Sequence, residues 1–582
     1  MNTRTVVVVL LALILSSTFG QIPMWLQVQK TPWSQSAAEK KMGCQSEKTS
    51  YTGVVDCITS FLEGQINMKG SQEFALAQTY RIGWDYVFPS TMPAQPVTAA
   101  FALGQRADVH DNALAAMVFM LNGQMSAAKR ICDTFSLTID LDTFADGRTR
   151  SAYYSSGPVA RDYDAVTTLT YGSKVADNSV ITSNMALQVL ALCRFYVHTH
   201  DYKYLRSAIK VATFIKNNLS VNTPWGGFSD GYDVNGTFVP SRSTEANSAV
   251  FAAARLLYSL TSDASWKTMM DATSSFVSNM YQSKGFYYSG TLDSTDNLKT
   301  SFPTASAQTS GLLSGADASD RATKALNWIL ENLQVTEYQT DDISGNTIPY
   351  NGILYSSGGS GLMSEQTAMT AMAMHAQQKN LVGVDAISVA SFKAAHEKFL
   401  NSLINMQKYA LRSDGHGIVA AVNPGGSTTW PSSAAADNYV YQPVLHTASS
   451  AWTALTLLYI RGNNEFANPY ADYSKSKASV YTPNMAVAKS KTADLTTNYD
   501  YTIEYTFAIG ASTVTLTMVI GFVVLIGFIM LAILNFKLYK KNRHVVAEYH
   551  QEMEYFTRLQ SPGTPLTPTL ADAPNPLWPQ QE

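Results

Sequence analysis

Charge is scarce in this chain, and neither sign prevails. Of 582 residues only 15% are Asp, Glu, Lys or Arg, and the formal net charge is -3. Nucleic-acid binding draws on a basic excess that neutralises phosphates, so that class is set aside. Cysteine is nearly absent, with four in all, and no CxxC or Cys/His cluster occurs that would hold a structural zinc. Also missing are a G-x-S-x-G elbow, a P-loop, H-E-x-x-H, and G-x-G-x-x-G between a strand and a helix. Asp230 with Asp233, and Asp341 with Asp342, offer oxygens but lack EF-hand spacing. The motifs imply no metal and no cofactor.

Long apolar runs are few, and two stand out. The first lies in MNTRTVVVVLLALILSSTFG, where an Arg precedes Val6 to Leu15 and small residues follow, the pattern of a signal peptide over 1–20. The second, uncharged from Ala511 to Phe536, is long enough at about 1.5 Å per residue to cross a bilayer core of about 30 Å, and predicts a transmembrane helix over 507–536. Lys537, Lys540, Lys541, Arg543 and His544 follow it, whereas Asp500 and Glu504 precede it, so the C-terminus is expected in the cytosol. The chain reads as a single-pass type I protein of the plasma membrane or a secretory-pathway membrane. Its large domain, 21–470, is extracellular or lumenal. A Ser, Thr and Lys-rich stalk spans 471–506, and a disordered tail over 537–582 carries Ser561-Pro, Thr564-Pro and Thr567-Pro.

An oxidising exterior permits a disulfide between Cys44 and Cys57, which flank a short polar loop. Cys132 and Cys193 lie in helical patterns and either pair or stay as buried thiols. Asn218 and Asn235 head glycosylation sequons.

With 46% hydrophobic residues the chain can bury a large core. Periodicity predicts helices at roughly 53–66, 72–87, 109–122, 124–135, 181–199, 202–218, 245–260, 263–282, 304–313, 317–333, 363–379, 385–408 and 446–460. Asn122-Gly123, His200-Asp201 and Ser262-Asp263 are turns short enough to make antiparallel hairpins. The loops between hairpins are long, and GGFSDGYDVNGTFV within one of them reads as a β-hairpin. About six hairpins with long loops at one rim define an all-α fold, an (α/α)6 toroid of helical hairpins. An open solenoid is the rival, and the lack of a regular period favours the ring.

Polar clusters open four of the Ala-rich helices: Asp108, His110, Asp111 and Asn112; Ser183 and Asn184; Thr244, Glu245 and Asn247; Ser364, Glu365 and Gln366. Parallel inner helices would bring these clusters to one end. Paired carboxylates there suit glycoside hydrolysis, in which one is kept protonated to donate to the leaving oxygen and the other activates water. The ordinary use of an acid in a first helical turn is to complement the helix dipole. Glu245 and Glu365 are not the acidic half of a capping box, because positions 242 and 362 are Arg and Leu. With Thr244 as the cap, Glu245 opens the helix and can face the mouth.

The stretches DVHDNALAAMVFMLNGQMSAAKRICDTF, SNMALQVLALCRFYVHTHDYKYLRSAIKVATFI, STEANSAVFAAARLLYSLTSDASW with YYSGT, and GLMSEQTAMTAMAMHAQ together resemble the six-hairpin, (α/α)6-barrel glycosidase-like families. The resemblance implies a carbohydrate-active enzyme, commonly an inverting hydrolase. The chain departs from the family pattern at Ala246, where such families carry His, and at Ser364 and Gln366, where they carry an aromatic and Gly. On these grounds Glu245, Glu365 and Asp111 form the candidate catalytic set. Asn112, Asn184 and Asn247 would hold substrate hydroxyls, and His446 would line the cleft. Trp225 and Trp430, out of many loop aromatics that include Tyr355 and Tyr441, would stack on sugar rings. His198, His200, His375 and His396 read as helix-surface residues. The leading function is a membrane-tethered glycoside hydrolase whose ligand is a glycan. Beside it stand a catalytically inactive glycan-binding or adhesion receptor and a polysaccharide lyase or sugar epimerase.

Overall fold

The computed structural model describes residues 50–67, 74–81, 106–155, 159–163, 169–173, 175–317, 320–340, 345–423 and 441–476. All of them fall in one compact unit, Met1–Pro483. They contain twelve α-helices: α1 (Tyr51–Asn67), α2 (Val109–Leu121), α3 (Met125–Asp140), α4 (Thr182–Thr199), α5 (Tyr202–Asn218), α6 (Thr244–Thr261), α7 (Ala264–Asn279), α8 (Ala305–Ser314), α9 (Arg321–Asn332), α10 (Ser364–Asn380), α11 (Ala386–Tyr409) and α12 (Thr447–Ile460). Each even-numbered helix packs on the next even one, and α12 packs back on α2. The odd-numbered helices lie outside, each against its even partner, with α1 on α12. The ring is therefore closed, an (α/α)6 toroid and not an open solenoid.

Composition explains which helices are inside. A helix that is apolar or small all round must be covered on every side. In α2 every residue from Val109 to Met120 is buried except His110, and in α12 nearly all are. Outer helices such as α5 and α9 bury one stripe and leave a polar face to solvent. Two hairpin turns share one design: His200 and Ser262 adopt left-handed backbone, and the Asp that follows each, Asp201 or Asp263, caps the next helix by accepting the N–H of Lys203 or Ser265.

The rim carries short antiparallel sheets, which refines the all-α expectation. Strands β1 (Arg106–Asp108), β2 (Ala152–Tyr154) and β5 (Val175–Asp177) form one sheet, and β3 (Val159–Tyr163) pairs with β4 (Leu169–Ser173). A third sheet is β6 (Val180–Ile181), β7 (Gly231–Tyr232) and β8 (Phe238–Val239), and β7–β8 is the expected hairpin. The remaining two are β9 (Gln334–Thr340), β10 (Thr347–Leu354) and β11 (Leu362–Met363), and β12 (Ile418–Val419) with β13 (Leu445–His446).

One hydrogen bond recurs six times on this rim. The first N–H of each inner helix donates to a carbonyl of the loop entering the neighbouring hairpin: Val109 to Ser151, Thr182 to Asp230, Thr244 to Ser289, Ala305 to Tyr355, Ser364 to Ala420, and Thr447 to Thr79. These distances run from 2.9 to 3.1 Å. The close approach requires glycine twice. A Cβ on Gly231 would stand 1.8 Å from the Val180 carbonyl oxygen, and one on Gly290 would stand 2.0 Å from that of Arg242.

In five of the six inner helices a side chain four residues after the cap clamps the loop that enters its own helix, close to the carbonyl that receives the preceding helix's N–H. Asn112 gives its amide N–H to the carbonyls of Asp108 and Ala77 and accepts the Ala77 N–H. Asn247 does the same with Ser243 and Phe228, and Gln308 with Thr304 and Tyr287. Thr367 and Ser450 are hydroxyl versions. The position in α4 is Met185, which has no polar group to offer.

Several sequence expectations change. The helix expected over 72–87 is absent from residues 74–81, which run without helix and pair Tyr80 with His446; their backbone is taken by Asn112, Gln65 and Thr447. Cys57 is disulfide-bonded, while Cys44 lies outside the described residues. Cys132 and Cys193 are free buried thiols. The sequon residues Asn218 and Asn235 are exposed. Residues 471–476, taken from sequence as the start of the stalk, pack on the ring, and Tyr473 is buried. Among the described residues no helix is long and apolar enough to cross a membrane. The expected signal peptide, transmembrane segment 507–536 and tail lie outside the described residues.

Of the four histidines expected at the surface, His200 is exposed and the other three differ. His198 is buried, with Nε2 2.9 Å from the Tyr473 hydroxyl. His375 on α10 and His396 on α11 meet edge to face at 5.1 Å between ring centroids. Both nitrogens of His375 and Nδ1 of His396 have no hydrogen-bond partner. Burial foremost, with Arg461 at both, His396 and Lys379 at His375 and Lys393 at His396, lowers both pKa values to about 4, against an upward pull on His375 from Glu397.

Two predictions follow from this packing. Asn247→Ala leaves the buried N–H and C=O of Phe228 without partners and should cost about 2–5 kcal/mol in a denaturant titration; a loss under about 0.5 kcal/mol would mean the clamp is idle. For the His pair, the unfolded imidazoles take up protons near 6.5 and the folded ones only near about 4. Stability is therefore full above 6.5 and falls as pH drops between those values. The double variant His375→Gln, His396→Gln should flatten the fall in melting temperature from pH 7 to 4.5, and an unchanged slope would refute this.

Candidate active site

Three inner helices, every second one around the ring, place a titratable group at their second residue. These are His110 in α2, Glu245 in α6 and Glu365 in α10. The cap of α6 is Ser243, whose hydroxyl accepts the Ala246 N–H, so Glu245 stands one residue further into the helix than a Thr244 cap implies. Thr244 instead donates to the Tyr288 carbonyl. Asp108 occupies the cap position of α2 but its carboxylate is taken by Arg106 and Thr79 and caps no N–H, while Asp111 turns to His110 and His446.

A chain of four side chains crosses the mouth. His446 caps α12 by accepting the Ser449 N–H at Nδ1, which places its proton on Nε2, and Nε2 stands 3.5 Å from Asp111 Oδ2. Asp111 Oδ1 lies 3.2 Å from His110 Nδ1, and His110 Nε2 lies 3.5 Å from Glu365 Oε1. Asp111 is 4% exposed and Glu365 7%, whereas Glu245 is half-buried.

Burial and neighbours then set the charges. Burial raises Glu365, and Asp111 and Glu245 add to that; His110 and the nearby Trp452 indole pull it down, leaving it at about 7. Burial opposes the charge of His110, but Glu365, Asp111 and Glu245 outweigh it and raise its pKa to about 9. Burial also works against ionised Asp111, yet His446 and His110 prevail and hold its carboxyl below the usual range. Burial lowers the His446 pKa, against an upward pull from Asp111 and Asp108. Near neutral pH the cluster thus holds a protonated fraction of Glu365 beside a charged His110 and an ionised Asp111.

Aromatic rings wall the cluster. Tyr80 stacks on His446 at 4.5 Å, Tyr441 meets the same ring at 6.2 Å, and Tyr355 lies 6.5 Å from Tyr441. Tyr355 and Tyr470 both feel the charges of Glu245 and Glu365. Asp230 also borders Glu245. Burial raises its carboxyl to about 6 even though it accepts from the Ser241 hydroxyl and the Ser243 N–H.

Of the residues singled out from sequence, Glu245, Glu365, Asp111 and His446 come together. Asn112 and Asn247 do not line the pocket: both are 0% exposed and their amides are spent on the rim clamps. Asn184 is half-buried at the third residue of α4. Trp225 packs against Phe276 and its neighbours in a separate apolar cluster. Trp430 lies outside the described residues. Sequence reasoning assigned no role in the site to His110, Trp452 or Tyr470. His110 stood in the polar cluster that opens α2, and the helical position it shares with Glu245 and Glu365 was the signal of its role. Among the described residues no group of three or more His, Cys, Asp or Glu side chains is placed to hold a metal ion.

No protein-family model and no curated protein matches the chain. Solved structures that are similar include a glycosidase variant in complex with glucose (15% identity, 71% of this chain and 97% of that one, TM-score 0.45). Others are a family 76 glycoside hydrolase from a bovine Bacteroides thetaiotaomicron strain (12%, 71% and 78%, TM-score 0.46) and an alpha-amylase from Clostridium perfringens (11%, 69% and 97%, TM-score 0.43). At these identities the likeness concerns the fold alone. The closed ring of six helical hairpins described above rests on the packing of its own helices.

Because Glu365 supplies the largest upward pull on His110, Glu365→Gln should move the His110 titration from about 9 towards its ordinary 6.5. Imidazole NMR reads this directly, and a midpoint left near 9 would show that the two groups are not coupled.

Proposed function

We propose that this chain is a membrane-anchored extracellular carbohydrate-active protein that hydrolyses glycosidic bonds. One observation carries the reading: Glu365, raised to about 7, stands close to ionised Asp111 and half-buried Glu245 in the first turns of three inner helices. A hydrolase of this kind needs a proton donor and an ionised carboxylate on either side of the scissile bond. Glu365 is the donor to the leaving oxygen. Glu245, the most exposed of the three, takes the proton of the attacking water. Asp111 stays buried and ionised and holds His110, whose charge keeps Glu365 from rising further. Tyr355 and Tyr441 offer ring faces to a pyranose. The membrane anchor and the extracellular placement rest on the apolar runs at each end of the sequence and their flanking charges.

The full chain, purified in detergent, should release reducing sugar from a glycan panel. Glu365→Gln and Glu245→Gln should each lower the rate about 10²–10⁴-fold without loss of fold. The rate should fall as pH rises through about 7, where Glu365 loses its proton. Glycan binding without turnover would replace the hydrolase with a receptor, and an ultraviolet-absorbing unsaturated product would indicate a lyase.

A further inference from the structure

The far end of the ring is closed by the chain itself. After α12, the segment Asn464–Ser476 crosses the C-terminal ends of the inner helices through two 3-10 turns, Glu465–Ala467 and Tyr473–Lys475. Arg194 of α4 is wholly buried, and its hydrogen bonds among the described residues go to backbone carbonyls. Its guanidinium donates to three carbonyls of the segment, those of Phe466 at 3.0 Å, Asn468 at 2.6 Å and Pro469 at 2.7 Å, and it lies 4.7 Å from the Tyr473 ring. Burial lowers it to about 10, so it remains charged at neutral pH.

Other inner helices hold the same segment. Arg255 of α6 donates to the Tyr470 carbonyl at 2.7 Å, and Asn468 donates to the Leu313 carbonyl of α8 at 2.8 Å. Cations at helix C-termini are favoured by the helix dipole. Here they also satisfy backbone that would otherwise be buried without partners. Between these pins the Tyr470 side chain is 2% exposed and its ring lies 6.2 Å from that of Trp452. The Trp452 indole N–H has no full hydrogen bond and lies close enough to Glu365 to favour its carboxylate.

We propose that Tyr470 is a positioning residue of the carboxylate cluster. The C-terminal segment, pinned by Arg194, holds its ring against Trp452 and keeps water from the inner side of Glu365. The site is thus completed by residues that follow the last helix of the ring. This holds for the cluster as a proton-binding unit, whether or not it turns out to cleave glycosides, so its failure is separate from failure of the hydrolase reading.

The test is the titration of Glu365 in the full chain, followed by carboxyl-carbon NMR. Tyr470→Ala and Arg194→Gln should admit water and lower the proton affinity of Glu365 at least threefold, about 0.5 pH unit. Tyr470→Phe keeps the ring and should leave the midpoint in place. A merely structural role would change melting but not this pattern. If Tyr470→Ala and Arg194→Gln fold and Glu365 titrates as in the parent, the proposal is wrong. Should either fail to fold, the parent chain decides. Backbone amides of Asn468 and Tyr470 should shift with the same midpoint as Glu365, and amides that ignore that titration would overturn the assignment.

Discussion

The rim hydrogen bond is the constraint on which the rest depends. Each inner helix must give its first N–H to a loop carbonyl of the neighbouring hairpin, so no hairpin is complete without the next one. Six such bonds close a circle, with Thr447 donating to Thr79 at the seam. An unpaired backbone group in this buried rim would cost as much as a lost hydrogen bond, and that fixes the height of every inner helix against its neighbours.

Fixing that height is what assembles the site. Because the helices start level, the second residue of α2, α6 and α10 reaches one mouth, and His110, Glu245 and Glu365 meet there. The clamps by Asn112, Asn247 and Gln308 hold the same register from the side. Below, the Arg194-pinned segment closes the ring. The protein environment of Glu365 is therefore built from elements far apart in sequence, and its perturbed proton affinity follows from burial among them.

The architecture was legible because helix periodicity survives in a single sequence. Eleven of the twelve helices correspond to an expected hairpin partner at nearly the expected bounds, and α3 runs on to Asp140 past the expected end at 135. The expected helix at 72–87 failed because long-range hydrogen bonds from Asn112 and Thr447 outweigh the local preference of residues 74–81. The carboxylates were legible by their misfit, as acids opening buried helices without a capping box. Asn112 and Asn247 carried the same signal and misled, because an amide bonding to the backbone of a neighbouring loop looks in sequence like one poised for a ligand. Tyr470 could not be assigned, since nothing local says that the chain after Ile460 turns back under the ring.

The positions of the protons in the cluster decide its chemistry. A neutron structure of the exchanged protein at pH 6 should show a deuteron on the Glu365 carboxyl, two on the ring nitrogens of His110, and none on Asp111. A bare Glu365 carboxylate beside a singly protonated His110 would contradict it.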